Sequence, residues 1–174
     1  LVLAENPGDE AFLLELRQGE YTSAFQSFSH EANGPETVLR WTVEPGIVLT
    51  ARLGVQEKEI RFRAQVENAT EKLLCSLEYP LLDGIRSLAG DSDFVAHPYA
   101  TGFLVQNPME AFEQQEEGFR YMPYPESFSG ASMQFFTWYA KDCGGLYFAA
   151  YDGAYRQKWL NFYKKRGALR ASHI

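Results

Sequence analysis

The sequence is poor in cysteine and in clustered basic residues. Cys75 and Cys143 are the only cysteines among 174 residues, and no C-x-x-C spacing is present, which excludes zinc sites of that type. A single bridge would not be the dense framework of small secreted domains, so we expect two free thiols.

The largest basic cluster, residues 164–166, stands beside Gly167 and predicts a turn. With a net charge of -7 and a pI near 5.0, no nucleic-acid partner is predicted.

Long apolar runs and helical periodicity are also scarce. The longest nearly uncharged stretch, residues 128–140, is interrupted by polar residues and is shorter than the ~20 apolar residues of a membrane span. No membrane span is therefore predicted. Residues 109–117 contain good helix formers but no apolar stripe that could dock on a core, so they predict an exposed loop with at most one helical turn.

Aromatic residues are abundant, at 15% of the chain, and they favour sheet. Apolar and polar residues alternate with the period of a strand in residues 59–67, where the predicted inward side chains are Ile60, Phe62, Ala64 and Val66. Further runs of this kind lie between turn-forming separators, at residues 12–17, 21–28, 37–43, 47–55, 73–79, 102–106, 132–139, 146–151, 159–163 and 169–174. Many short strands with little helix predict an all-β fold, an antiparallel β-sandwich.

The length of the chain fits one sandwich domain over residues 1–174. Residues 83–98 are rich in Gly, Asp and Ser and are predicted to be loop. The chain begins with Leu1 rather than Met, so we expect it to be a fragment of a longer multidomain chain. Its first residues therefore do not indicate a location in the cell.

Ser132 lies in a segment that comes within one residue of the serine-hydrolase pattern G-x-S-x-G. The position that requires glycine is Gln134, and an aromatic run follows where the elbow requires a helix. The segment instead predicts a hairpin, in which residues 132–139 and 146–151 are joined by a five-residue loop. Large side chains on both faces of the first strand predict a central strand covered by a second sheet or another domain. No catalytic residue is assigned.

Two short patterns have both a functional and a structural interpretation. Asp91 and Asp93 have the spacing of a calcium loop, but Val95 occupies the third ligand position. We therefore favour a solvated turn, and neither a metal nor another cofactor is predicted. Asn68-Ala69-Thr70 matches the N-glycosylation acceptor, and it also makes a good turn between two strands; the turn is sufficient to explain it.

Several carboxylates are close in sequence to aromatic residues. Asp83 precedes Gly84, Asp91 and Asp93 precede His97-Pro98-Tyr99, and Asp152 follows Tyr151. Aromatic rings beside carboxylates and amides suit a carbohydrate, because C–H faces stack on rings and hydroxyls need paired acceptors. Burial of the aromatics in a core is the alternative interpretation.

Three segments resemble, in order, the N-terminal sandwich domain of a group of bacterial glycoside-hydrolase-like proteins. They are "RAQVENATEKLLCSLEYPLLDGI", "DSDFVAHPYATGFLVQNP" and "YPESFSGASMQFFTWYAKDCGGLYFAAYDG", and the resemblance covers residues 56–155. It implies a β-supersandwich like that of galactose mutarotases, placed before a catalytic (β/α)8 barrel. In such proteins the sandwich packs on the barrel and can lend loops to the sugar site.

The resemblance implies a set of carbohydrate-binding candidates in this sequence. They are Asp91, Asp93, His97, Tyr99, Tyr124, Ser132, Gln134 and Asp152. No barrel sequence follows in this chain, so we expect it to be non-catalytic by itself. A periplasmic or secreted location is favoured by the resemblance. The alternatives are a stand-alone lectin-like module that binds glycan, and a purely structural interaction domain with an exposed apolar patch.

Overall fold

The fold is an all-β, antiparallel sandwich architecture. The computed structural model describes residues 13–16, 21–22, 25–112, 118–126, 128–165 and 167–174, with the first two ranges described by their backbone alone. The strands are β1 Leu13–Leu16, β2 Tyr21–Thr22, β3 Ser27–Asn33, β4 Glu36–Glu44, β5 Ile47–Gln56, β6 Glu59–Asn68, β7 Leu74–Glu78, β8 Leu81–Ile85, β9 Asp93–His97, β10 Phe103–Gln106, β11 Gly118–Tyr124, β12 Phe135–Ala140, β13 Gly144–Ala149, β14 Lys158–Lys165 and β15 Ala168–His173.

The described residues fall into two compact units, one ending at Pro80 and one formed by Leu81–Ile174. In the first unit, β3, β4, β5 and β6 form a meander in that spatial order, and β2, β1 and β7 form a second sheet. Its buried residues lie mainly on one face of β4 and β5, where Trp41, Leu49 and Ala51 are packed together with Leu77 of β7. Two compact units do not decide how many folding domains exist, so the single domain stays a prediction.

The second unit is a sandwich of two four-stranded sheets. One sheet has the order β10-β9-β12-β13 and the other β11-β14-β15-β8, and all pairings are antiparallel. Alternate residues of each strand point into the space between the sheets, as the pleat requires. The shared core consists of Val95, Phe112, Phe136, Trp138, Phe148, Phe162, Leu169 and Ala171.

The predicted hairpin is confirmed, with a shorter first strand, a second strand of the same length that begins two residues earlier, and a shorter loop. Phe135 pairs with Ala149 and Ala140 with Gly144, so three residues lie outside the paired strands instead of five. Asp142 and Gly144 adopt positive φ, of 62° and 84°, and close this tight loop. The first strand is central, because it also pairs with β9.

Several predicted elements differ from the structure. Residues 83–98 are not simply loop, because they hold most of β8 and all of β9, and β11 was not predicted as a strand. In β6, Ile60 and Ala64 are exposed and only Phe62 and Val66 are partly buried. β6 is the edge strand of its sheet, and of these four side chains only Val66 packs against the core cluster of the first unit. The single helical turn is confirmed as α1, Pro108–Ala111, but the prediction of an exposed loop is wrong for Met109 and Phe112, which pack in the core of the second unit. Residues 113–117 and Arg166 lie outside the described residues.

Candidate functional site

The outer face of the sheet β10-β9-β12-β13 carries an exposed group of rings. The register places Phe94, Tyr139, Phe135 and Tyr147 on the face that points away from the core, together with Leu104. The ring centroids of Phe94 and Tyr139 are 5.7 Å apart, and those of Phe135 and Tyr147 are 5.3 Å apart. We call the four rings Phe94, Phe135, Tyr139 and Tyr147 the aromatic face.

The aromatic face is open to solvent and uncharged. Tyr147 is 55% exposed, Tyr139 39% and Leu104 61%. The other positions in the same cross-strand rows are all neutral, namely Gln106, Ala96, Thr137, Gly145 and Ala149. Monomeric proteins rarely leave a contiguous apolar patch in water unless it is a binding surface. The aromatic face is therefore the main candidate binding surface of the second unit.

Tyr151 extends the aromatic face beyond the end of β13. Its ring is 86% exposed, and its side chain is hydrogen-bonded to Tyr147. Desolvation by burial raises the pKa of the Tyr147 hydroxyl, and the charge and hydrogen bond of Tyr151 raise it further. The Tyr147 hydroxyl is therefore neutral near pH 7, and a phenolic hydroxyl can donate or accept a hydrogen bond at the margin of the patch.

A polar cluster forms at the start of β14 around Lys158, which sequence reasoning did not single out. Its ammonium donates to Gln134 Oε1 at 3.0 Å, Asp152 Oδ2 at 3.0 Å and the Arg156 carbonyl at 2.7 Å. The Nζ atom also lies 5.0 Å from the ring centroid of Tyr124, which pairs with Lys158 across the two strands. Three of the eight candidates, Tyr124, Gln134 and Asp152, are thus brought together.

The polar cluster around Lys158 holds the connection between β13 and β14 in place. Asp152 accepts from the backbone N–H groups of Ala154 and Arg156, at 2.9 and 2.8 Å, in addition to Lys158. The hydrogen bond from Lys158, followed by those from the two backbone amides, lowers the pKa of Asp152 to about 2. All three donors of the ammonium are used, so Lys158 holds the β13–β14 connection and is not a free nucleophile.

The loop that precedes β9 is organised by Asp93. This residue has no exposed surface, and its two carboxylate oxygens accept from the backbone amides of Leu88 and Ala89, at 2.9 and 2.7 Å. Asp91 is exposed and accepts from Asn107 Nδ2 at 2.8 Å. The solvated turn favoured for this pair is confirmed for Asp91, which lies in an exposed 3-10 turn, and is wrong for Asp93, which is turned inward to hold the loop.

His97 lies between aromatic rings in the core of the second unit. It is 1% exposed, and its ring centroid is 4.3 Å from that of Phe119 and 6.0 Å from that of Phe136. Neither ring nitrogen has a hydrogen-bond partner among the described residues. Desolvation lowers the pKa of His97 to about 4, so the ring is neutral near pH 7. His97 is therefore a neutral side chain of the core that packs against aromatic rings.

Tyr99 and Ser132 lie on adjoining segments. Ala131, next to Ser132, forms an isolated antiparallel bridge with Tyr99. The backbone amide and the hydroxyl of Ser132 both donate to the Pro98 carbonyl, at 2.8 and 3.1 Å. Ser132 is exposed and Tyr99 is partly exposed. These two residues are accessible, although their polar contacts stabilise a turn.

The eight candidates thus occupy different environments. Asp93 and His97 are buried, Tyr124 is 5% exposed, and Gln134 and Asp152 are bound to Lys158. Carbohydrate contact through the accessible members stays a prediction. The aromatic face was missed in part, although the alternation in residues 93–97 and 144–149 is the signal that would have placed Phe94 and Tyr147 beside Phe135 and Tyr139.

Among the described residues, no group of three or more His, Cys, Asp or Glu side chains lies close enough to hold a metal ion. Cys75 and Cys143 are both free and exposed. Within the same ranges, no helix has the length and apolar character that crossing a bilayer requires.

No protein-family model, curated protein or solved structure matches this chain. The fold and the surface therefore define its class by themselves. It is an all-β protein with an antiparallel sandwich and an exposed, uncharged aromatic sheet face.

Proposed function

We propose that this chain is a non-catalytic sandwich module of a carbohydrate-active protein, and that it binds glycan on the aromatic face. The observation that carries the proposal is the exposure of Tyr139 and Tyr147 on a sheet face whose neighbouring positions are all uncharged. Rings on a sheet surface offer apolar area without backbone rearrangement, and tyrosine adds a polar hydroxyl at its tip. A pyranose has the matching chemistry, since its C–H faces are apolar and its hydroxyls project around the edge.

The charge distribution favours a neutral glycan. The chain carries a net charge of -7, which repels a polyanionic ligand at long range. The aromatic face itself contributes no cation that could pair with a uronic acid or a sulfate. Gln106, Thr137 and the hydroxyls of Tyr147 and Tyr151 supply hydrogen-bond donors and acceptors next to the rings.

Affinity electrophoresis through gels containing single neutral polysaccharides tests the proposal. We expect retardation by at least one polysaccharide, and we expect Tyr147→Ala to weaken it by about tenfold or more, because loss of a central aromatic contact costs ~2 kcal/mol. Tyr121→Ala is the matched control, since Tyr121 is also 55% exposed but belongs to β11 in the other sheet. Equal retardation of wild type and Tyr147→Ala, or none with any polysaccharide, would refute glycan binding on this face.

A second function is favoured by the same uncharged patch, namely docking on a catalytic (β/α)8 barrel of a longer parent chain. A barrel neighbour would cover Tyr139, Tyr147 and Leu104 permanently, as in an apolar domain interface. The two functions differ in one observable property. In the parent chain, a docked patch would be protected from labelling of tyrosines by tetranitromethane, whereas a glycan-binding patch would be labelled and then protected only when polysaccharide is added.

A further inference from the structure

The edge of β3 that faces away from β4 has no partner strand among the described residues, and it is the second unusual surface of the protein. β3 lies at one end of the sheet β3-β4-β5-β6 and pairs along its whole length with β4, from Ser27 opposite Thr42 to Asn33 opposite Glu36. All seven of its residues are exposed. An edge strand presents a row of unpaired N–H and C=O groups to which another strand can pair.

The apolar face of the first unit continues onto β3 and is left in water there. Phe28 pairs with Trp41 across the strands and their ring centroids are 5.3 Å apart, yet Phe28 is 46% exposed and Trp41 only 4%. His30 stacks on Phe28 with an interplanar angle of 20°. A strand added beside β3 would cover this surface and complete the row of backbone hydrogen bonds.

The opposite edge of the same sheet lacks this character. β6 carries four charged residues along its length, Glu59, Arg61, Arg63 and Glu67, whereas Glu31 is the one acidic or basic residue of β3 apart from His30. Charged side chains on an edge strand are a common means of preventing edge pairing. The sequence thus protects β6 against pairing and leaves β3 open to it.

We propose that β3 pairs antiparallel with β3 of a second copy of this chain, across a twofold axis at His30. The strand is self-complementary in this register. Phe28 lies opposite Ala32 of the second copy, a large residue against a small one, and Ser29 lies opposite Glu31, a hydroxyl donor against a carboxylate. Because the same patch is used on both copies, the interface closes as a dimer, and two four-stranded sheets become one continuous sheet.

Sedimentation velocity of the 174-residue chain at rising concentration tests this dimer. His30→Lys and His30→Glu each place like charges opposite each other at the twofold axis. We expect the dimer affinity of each variant to fall by about tenfold or more. An equimolar mixture of the two variants places Lys opposite Glu, and we expect the mixed dimer to form. Ala64→Lys is the matched control, because Ala64 is exposed in the same cross-strand row at the β6 edge.

Several results would overturn the proposal. The wild type could stay monomeric at every concentration, or His30→Lys could dimerise as tightly as the wild type. The equimolar mixture of the two variants could stay monomeric, or the Ala64→Lys control could lose the dimer. Circular dichroism of each variant distinguishes loss of dimer from loss of fold. The proposed dimer uses none of the residues of the aromatic face, so its failure leaves the glycan proposal intact.

Discussion

At the scale of single residues, His97 shows how an imidazole can be a core side chain. Its ring is buried and stacked on Phe119 and Phe136, so only the neutral form fits the site. The sequence places His97 beside Pro98 and Tyr99, which is equally compatible with a binding loop. Residue type alone does not reveal which way a strand side chain points, because that depends on the partner sheet.

We expect His97 to make the protein sensitive to acid. The pKa of His97 is lowered from 6.5 to about 4, so the unfolded state binds a proton first as the pH falls. The contribution of neutral His97 to the free energy of unfolding is fully present above pH 6.5. It is lost progressively as the pH falls to 4, by about 3 kcal/mol at most. His97→Phe should reduce this loss, as measured by urea unfolding between pH 7 and pH 4.

His97→Gln separates titration from packing in the same experiment. The amide does not titrate, so this variant should also lack the His97 share of the acid loss. It should be less stable than wild type by about 1–3 kcal/mol at pH 7, because the amide loses the ring stacking on Phe119 and Phe136 and still leaves buried polar atoms without partners. An acid dependence identical in wild type and both variants would show that His97 is not the residue responsible.

At the scale of elements, the β12–β13 hairpin was the most predictable part of the fold. Its aromatic alternation and paired glycines specify two strands and a tight turn without reference to the rest of the chain. The strands β8, β9 and β11 were missed because glycine and acidic residues in and around them predict loops. Gly84 lies inside β8 with φ of 73°, and Tyr121 has φ of 52° at a register shift in β11, so only their pairing partners make them strands.

We expect Gly145→Ala to disrupt the hairpin by overpacking. A Cβ at this position would meet the Trp138 carbonyl oxygen and lie 2.6 Å from Tyr139 Cα, both in the facing strand. Such crowding costs about 1–3 kcal/mol of unfolding free energy, measured by urea denaturation. Gly153→Ala is the matched control, because nothing lies within 4 Å of its Cβ position, and it should be neutral or slightly stabilising. Equal effects of the two substitutions would contradict this explanation.

At the scale of the whole molecule, sheet order determines which backbone is most protected. β9 and β12 are the inner strands of one sheet of the second unit, and β14 and β15 are those of the other. Inner strands are hydrogen-bonded on both sides and border the core formed by residues such as Phe136 and Phe162. They open only when the unit unfolds.

Hydrogen exchange measured by mass spectrometry tests which strands are most protected. We expect β9, β12, β14 and β15 to exchange more slowly than the edge strands β10 and β13, because edge amides can open locally. The result would be contradicted by edge strands that exchange as slowly as the inner ones. β3 is expected to become more protected as the protein concentration rises, since the proposed dimer covers its free edge.

The sequence by itself determined the fold class, most strands and the central hairpin, because alternation and turn residues act over a few positions. It also predicted eight candidate residues for carbohydrate contact, and that contact stays a prediction. Only the tertiary structure decided which of them reach the surface. Asp93 and His97 face inward, Lys158 binds Gln134 and Asp152, and Phe94 joins Tyr139 on an outer face. Burial and side-chain proximity depend on pairing between strands far apart in the chain, and no local pattern encodes that pairing.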